Sequence, residues 1–334
     1  MDACPPLPLV DISRLASGRP GDRLAVARDL DRACRDAGFL YVTGAQLDRA
    51  LFSRLEARAK SYFAMSHAEK MQRYIGLSVN HSGYVPEGEE QFGEGAHDRK
   101  ESYDIGCEYE LAQGRRPLLG PNLWPEMSGF RDDVLGYYRH VTGIGRQIFA
   151  CFALALGLPE DHFEALLIHP PSQLRLIHYP FNPDAEDRPG IGDHTDYECF
   201  TLLFVTAPGL QVVDRHGYWA DVPLVEGALI MNIGDMMEVL SNGRYLATRH
   251  RVRKVREERY AFPLFHACDY DQVIAPVIPN EVPHYQPIRS GEHLFSQTAR
   301  TFRYLKQRSA RGAHAVNDGI APARFGRQAR GAGA

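Results

Sequence analysis

The sequence predicts a mainly β fold with flanking helices, its core a β-sandwich or jelly roll. Three observations predict it. From Gln173 to about His266, short apolar runs recur between Gly, Pro and Asp punctuation ("LRLIHYP", "CFTLLFV", "GLQVVD", "YWADVP", "ALIMNIG", "ATRHRV", "RYAFPLF"), as short strands joined by turns do. Around that stretch, apolar residues return at three- and four-residue steps, the signature of a helix with one buried face. A chain of 334 residues, 44% of them apolar, can also bury a sizeable core.

In chain order, "LPLVDISRL" reads as a short strand and Asp22 to Cys34 as a helix, with Leu24, Ala27, Leu30 and Ala33 at helical spacing. "GFLYVTG" is a buried strand bounded by glycines. A second helix runs from about Asp48 to Phe63, and "SHAEKMQ" is a cap followed by a short turn. Residues 76–110, rich in Gly, Glu and aromatics, read as a long lid-like loop closing into a strand at "KESYDIG". From about Phe130 to Leu156 the positions Val134, Tyr137, Tyr138, Val141, Ile144, Ile148 and Phe152 line one helix face. After the strands comes a last helix, roughly Gly291 to Gln307, then a tail whose Gly, Ala and Arg content cannot build a core.

The formal net charge of −4 gives no general attraction to phosphate backbones or anionic lipid. Six cysteines without a CxxC pair read as reduced thiols of a cytoplasmic protein. No stretch reaches the roughly 18 uninterrupted apolar residues of a membrane span, and the N-terminus lacks the features of a signal peptide. The expected partner is a small molecule, with neither nucleic acid nor membrane; oligomeric state leaves no trace in the sequence.

The chemistry concentrates in "GDHTDYECFTLLF". In an extended segment, side chains two apart share a face, so His194 and Asp196 can converge while Thr195 turns away. His250, in "ATRHRV", supplies a third ligand 54 residues past Asp196. Two histidines and one carboxylate make a facial triad, which leaves coordination positions open for a cosubstrate and O₂ as non-haem Fe(II) oxygenases require. Nine residues after His250, Arg259 opens "RYAFPLF"; a buried arginine there grips a carboxylate bidentately, while its alternative is one more solvated charge in "RHRVRKVREER".

These motifs, in this order and over about 300 residues, resemble the isopenicillin N synthase-like branch of the Fe(II)/2-oxoglutarate dioxygenases: "PLVDISRL", "ACRDAGFLYVTG", "LRLIHYP", "HTDYECFTLLF", "PGLQV", "MNIGDMMEVLSNGRYLATRHRV" and "RYAFPLF". The resemblance implies a double-stranded β-helix (jelly-roll) core holding Fe(II) through His194, Asp196 and His250. It divides the chain into a non-haem dioxygenase N-terminal region (1–120), helical support (121–170), the jelly-roll core with its C-terminal helix (171–308) and a flexible tail (309–334). Arg259 matches the arginine that binds the far carboxylate of 2-oxoglutarate. The family's serine two residues later is Ala261 here, and losing a hydrogen bond to a charged group costs about 1.5–3 kcal/mol if nothing replaces it. Tyr179, at the position of a family tyrosine, is expected to compensate; its alternative is a core tyrosine with its hydroxyl at the surface.

Two-residue periodicity puts Arg175 and Ile177 on the face of Tyr179. An inward arginine must meet a carboxylate, so Arg175 serves 2-oxoglutarate, the substrate or a neighbouring acid. Arg175, Ala261 and Tyr197 also match the bacterial ethylene-forming enzyme. The resemblance aligns Arg300 with an arginine holding that enzyme's amino-acid substrate and puts Phe302 where it has a tyrosine. Glu87, Glu89 and Glu90 either reach a cationic group or form a solvated lid. The implied reaction consumes 2-oxoglutarate and O₂, releases succinate and CO₂, and oxidises, most commonly hydroxylates, an amino acid or amino-acid-derived metabolite. The alternatives are a 2-oxoglutarate-independent iron oxidase of the same fold and a catalytically silent metal-dependent ligand-binding module.

Overall fold

The computed structural model describes residues 7–92, 98–109, 116–181, 183, 189–214, 216–310 and 325. Strand β1 (Leu9–Asp11) leads to helix α1 (Pro20–Asp36), which starts with proline in its first turn and buries Val26, Ala27, Leu30, Ala33 and Cys34. Strand β2 (Phe39–Thr43) follows, then α2 (Arg49–Phe63), where the Asp48 carboxylate accepts from the amides of Ala50 and Leu51. Such a cap contributes about 1 kcal/mol by satisfying otherwise orphaned donors. Ser66 and Glu69 form the reciprocal box that starts α3 (His67–Met71).

The long loop carries one strand that its composition hides, β3 (Gly83–Val85), before β4 (Glu101–Gly106). Three residues are too few for alternation to register. Helix α4 (Phe130–Ala155) buries the stripe read from the sequence. Then come β5 (Gln173–Tyr179), β6 (Ile191–His194), β7 (Phe200–Val205), β8 (Leu210–Val213), β9 (Trp219–Asp221) and β10 (Leu229–Ile233). A one-turn helix α5 (Asp235–Leu240), β11 (His250–Val252), β12 (Arg259–His266) and the short pair β13 (Val273–Ile274) and β14 (Ile288–Arg289) complete the strands.

The expected single C-terminal helix is two, α6 (Ser290–Thr301) and α7 (Arg303–Ala310). They part at Phe302, whose backbone is extended because it forms a bridge with Glu90. Ser309 and Ala310 finish α7; of the tail beyond them, only Phe325 lies among the described residues.

One sheet runs β1-β2-β10-β7-β12-β5-β4-β3 and faces a smaller one, β6-β11-β8-β9. All neighbours are antiparallel except β1 and β2. Between the sheets lies an apolar layer that takes Phe39, Ile177, Tyr179, Leu203 and Ala261 from the large sheet and Ile191, Val212 and Val252 from the small one. The outer face of the large sheet packs on α1, α2 and α4 through a second, larger core. This is the jelly roll with flanking helices that the strand pattern predicts, and the N-terminal strands are edge members of its larger sheet.

Candidate active site

His194 ends β6 and His250 begins β11, and the two stand directly opposite each other in the antiparallel register. Asp196 is not on the strand: β6 stops at His194, and the carboxylate arrives from the turn before β7. Strand alternation therefore explains only half of the convergence expected of the motif. The turn and the cross-strand pairing supply the rest. One ligand atom from each of the three residues lies within 4.8 Å of the others, with Asp196 Oδ1 3.8 Å from His194 Nε2 and 3.6 Å from His250 Nε2.

Hydrogen bonds choose which atoms face the common point. His194 Nδ1 is 2.8 Å from the Gly192 carbonyl and His250 Nδ1 is 3.0 Å from the Thr248 carbonyl. Each Nδ1 therefore carries the proton, and each Nε2 lone pair is left for a metal. Asp196 Oδ2 accepts from Asn232 Nδ2 at 2.7 Å and from the Thr201 hydroxyl, which frees Oδ1. Burial, then His250, lowers the His194 pKa to about 3 and keeps the ring neutral. Two imidazoles that turn Nε2 to one point, with a carboxylate beside them, fit Fe(II).

The turn is held from below by α5. The Asp235 and Met236 amides, in the helix's first turn, donate to the carbonyls of Asp196 (2.9 Å) and Glu198 (3.1 Å). Gly234 makes this approach possible: a Cβ there would lie 2.3 Å from the Glu198 carbonyl oxygen. Asp235 also accepts from Thr195 Oγ1 at 2.9 Å and lies 3.3 Å from His293 Nε2, tying the turn to α6.

Arg259 opens β12 opposite Tyr179 and is 1% exposed. Its guanidinium lies 4.5 Å from the centre of the Tyr179 ring, and Nε donates to the Ala207 carbonyl at 3.1 Å. Nη1 has no hydrogen-bond partner among the described residues. A buried guanidinium without a carboxylate is costly, and here burial lowers its pKa. A carboxylate from a bound molecule would satisfy it. A Cβ at Gly209 would touch both Arg259 and Val252, which shares the inward side of β11 with His250, so the arginine and the triad border one interior. Ala261 is buried in the apolar layer and offers no hydroxyl. Tyr179 is buried rather than surface-reaching.

Arg175 takes the neighbouring-acid alternative. Its Nε contacts both Asp104 oxygens at 3.0 Å, Nη2 is 2.9 Å from Asp104 Oδ2, and Nη1 lies 3.0 and 2.9 Å from the two Glu90 oxygens. Lys100 also bonds Glu90. Both acids are buried, yet they differ. Burial alone would raise Glu90, but Arg175 and then Lys100 outweigh it and hold its pKa near 2. Burial wins at Asp104, which has Arg175 and the Ser102 hydroxyl but no lysine and lies near Glu90, so its pKa is raised.

A small pocket opens beside the triad, lined by Arg175, Glu90, Tyr197, Phe265, Thr298 and Phe302 among others. Of the residues expected there, Tyr197 and Phe302 do face it. Arg300 and Glu87 do not line it; their places are taken by Thr298 and Thr301 on α6 and by Glu90. Glu87 is exposed near Arg99 at 3.8 Å, and Glu89 is engaged by the Tyr74 hydroxyl and the Tyr304 amide. Besides Thr298 and Thr301, the lining residues that the sequence reading misses include Phe92, Glu198 and His81. Phe92 stacks on His194, its ring 4.3 Å away. Glu198 is buried two residues past Asp196, and burial, then Asp196, raises its carboxyl pKa to about 8; a dication at Asp196 would draw it back down. His81 is buried with a left-handed backbone, φ 59°. Only Glu198 had a visible signal, an acid inside an otherwise apolar run.

Two family models match the chain: "non-haem dioxygenase in morphine synthesis N-terminal" over residues 7–127 and "2OG-Fe(II) oxygenase superfamily" over residues 170–267. The 2-oxoglutarate-Fe(II) type oxidoreductase hxnY of Emericella nidulans is 33% identical over 84% of this chain and 86% of its own length. The homoarginine-6-hydroxylase 2-ODD-233 of Oryza sativa is 31% identical over 89% of this chain and 97% of its own. Among solved structures, a full-length Neurospora crassa protein in complex with alpha-KG superposes with a TM-score of 0.76 at 25% identity, over 88% of this chain and 96% of that one.

Proposed function

The chain belongs to the 2OG-Fe(II) oxygenase superfamily, and we propose that it hydroxylates an amino acid or amino-acid-derived small molecule, with His194, Asp196 and His250 as its iron ligands and Arg259 and Tyr179 at its 2-oxoglutarate. It is an oxidoreductase that uses Fe(II), 2-oxoglutarate and O₂. When bound, these supply the oxidising power: one oxygen atom of O₂ leaves in succinate as 2-oxoglutarate loses CO₂, and the other enters the substrate.

The observation that carries the residue assignment is the pairing of a three-ligand face with a buried arginine whose Nη1 has no partner among the described residues. Within this reading His194 and His250 present their Nε2 atoms, Asn232 and Thr201 hold Asp196 in place, and α5 keeps the turn from moving. Arg259 grips the far carboxylate, with the Tyr179 ring beneath it and the hydroxyl that Ala261 lacks left uncompensated or replaced by that of Tyr179. Arg175 positions Glu90 and Asp104 and touches neither cofactor. Phe92 covers one side of His194 and keeps water from that face.

Relatives named for homoarginine hydroxylation support an amino-acid type of substrate. The five described cysteines carry no disulfide, which supports a reducing compartment such as the cytoplasm. Among the described residues no helix is long and apolar enough to cross a membrane, and the charge of −4 favours neither nucleic acid nor anionic lipid as a partner.

The test is succinate formation from 2-oxoglutarate with Fe(II), ascorbate and O₂, for wild type and His194→Ala. Equal succinate from both proteins would overturn the ligand assignment. Anaerobic addition of Fe(II) and 2-oxoglutarate should give a weak metal-to-ligand charge-transfer band, and its absence would favour the 2-oxoglutarate-independent oxidase.

A further inference from the structure

Strand pairing fixes two of the three candidate ligands and leaves the third to a turn. His194 and His250 face each other in the β6–β11 register, whereas Asp196 lies beyond the end of β6. Its backbone is held there by Asp235, the fully buried first residue of α5. The Asp235 amide donates to the Asp196 carbonyl at 2.9 Å, and Asp235 Oδ1 accepts, also at 2.9 Å, from the hydroxyl of Thr195, the residue between the two ligands of the motif. The other carboxylate oxygen, Oδ2, lies 3.3 Å from His293 Nε2.

His293 comes from α6 and is fully buried. Its Nδ1 has no partner among the described residues, so Asp235 is the ring's one polar contact there. A buried imidazole with a nitrogen left unanswered is less favourable than an apolar side chain of the same size, and packing alone does not call for it. The rings of Tyr197 and Phe325 meet it at right angles, with centres 6.3 and 5.8 Å away. Residues on both sides of Asp196 thus reach one histidine, Thr195 through Asp235 and Tyr197 by its ring. The helix that carries this histidine also gives Thr298 and Thr301 to the pocket wall.

Resting on the reading of His194, Asp196 and His250 as the iron ligands, we propose that His293 is a positioning residue: by bracing Asp235 it sets the turn that aims Asp196 at the metal, and it ties that ligand to the helix walling the substrate pocket. The role needs a polar atom where Nε2 stands. Without it, one oxygen of a fully buried carboxylate loses its partner, and the group rotates to find another. Thr195 is bonded to the same carboxylate and moves with it, and Asp196 is the next residue in the chain. Groups that orient a metal ligand change metal affinity by about 10- to 100-fold; His293 acts one contact further out, so the lower end applies.

Two amides at position 293 separate positioning from packing. The glutamine amide reaches as far as Nε2 and can donate or accept there, so His293→Gln keeps the contact with Asp235; asparagine reaches only as far as Nδ1, so His293→Asn loses it at nearly the same polarity. Mn(II) affinity is measured by competition with a chelator, and the anaerobic Fe(II)–2-oxoglutarate absorption band is recorded beside it. His293→Asn should weaken Mn(II) binding by about tenfold and shift or diminish the band, and His293→Gln should stay within about threefold of wild type. Thr195→Val cuts the same arm at the turn, so the double variant Thr195→Val with His293→Asn should bind Mn(II) no more weakly than the weaker single variant. Wild-type affinity in His293→Asn, equal loss with asparagine and glutamine, or additive losses in the double variant would overturn the inference. Where His293→Asn does not fold, Thr195→Val takes its place, and wild-type Mn(II) affinity in that variant overturns the inference equally. Wild type that binds Mn(II) no better than His194→Ala would instead overturn the ligand assignment itself.

Discussion

Two arginines enter the interior from strands hydrogen-bonded to each other, Arg175 from β5 and Arg259 from β12. Both are buried, and from the sequence both were candidates to hold 2-oxoglutarate. The structure surrounds the first with Asp104 and Glu90 and leaves the second with one backbone carbonyl, an aromatic ring and an Nη1 without a partner among the described residues. Burial of a cation does not by itself mark a ligand site. What distinguishes the two is the charge inventory within reach: where it closes, the arginine is structural, and where it stays open, a ligand completes it.

The largest effect that tests this contrast is on stability. Arg175→Met strands two buried carboxylates and should destabilise the fold by about 3–5 kcal/mol, the usual cost of removing one partner from a buried pair. Arg259→Met replaces an open charge with an apolar side chain and should leave urea unfolding unchanged or shifted to higher midpoint. Equal destabilisation by both would break the comparison.

Acid unfolding comes next. The folded-state pKa of Glu90 is held near 2 against an ordinary 4.5. Its contribution, on the order of 3 kcal/mol, is thus fully present above pH 4.5 and is lost as pH falls through 2. Asp104, whose pKa is raised, works the other way and loses stability as pH rises. Glu90→Gln should therefore flatten the acid limb of the stability profile, and Arg259→Met should leave it as in wild type.

On ligand binding the order reverses. Arg259→Met should weaken 2-oxoglutarate binding by about 10- to 150-fold, the equivalent of 1.5–3 kcal/mol for a hydrogen bond to a charged group, read from titration of the anaerobic absorption band. Asn232→Ala removes a donor to Asp196 and should lower iron affinity by about 10- to 100-fold, measured by competition with a chelator. The smallest change is Ala261→Ser, which adds back a hydroxyl on the Arg259 strand and should tighten 2-oxoglutarate by a few-fold, about 1 kcal/mol or less. No change would mean that the Tyr179 hydroxyl already fills that role.

The triad and Arg259 were legible because their signal is local, a short motif followed by strands of fixed order. The fate of Arg175 was not. It depends on the register that sets Asp104 opposite Arg175 and on a loop that carries Glu90 in from a distant stretch, and no periodicity within one strand encodes which strand lies beside it. Asn232 and Thr201 were readable only as strand residues, since a side chain that holds a ligand is chemically ordinary. His81 left no trace, being one histidine among 14 in a stretch without regular pattern. The break at Phe302 escaped for a similar reason: the helical periodicity continues through it, and a tertiary bridge overrides local propensity.

That break ties the end of the chain to its beginning. The Gln91 amide donates to the Thr301 carbonyl, the Arg303 amide to the Glu89 carbonyl, and the Tyr304 amide to the Glu89 carboxylate. Contacts so distant in sequence carry the highest loop-closure cost and form late. The three candidate metal ligands all lie upstream of residue 251, in chain that precedes α6 and α7. The wall that holds Thr298, Thr301 and Phe302 comes from the chain beyond them and packs against Glu89 and Glu90. A chain cut short before α6 would thus keep all three candidate metal ligands and lose the wall that encloses the pocket beside them.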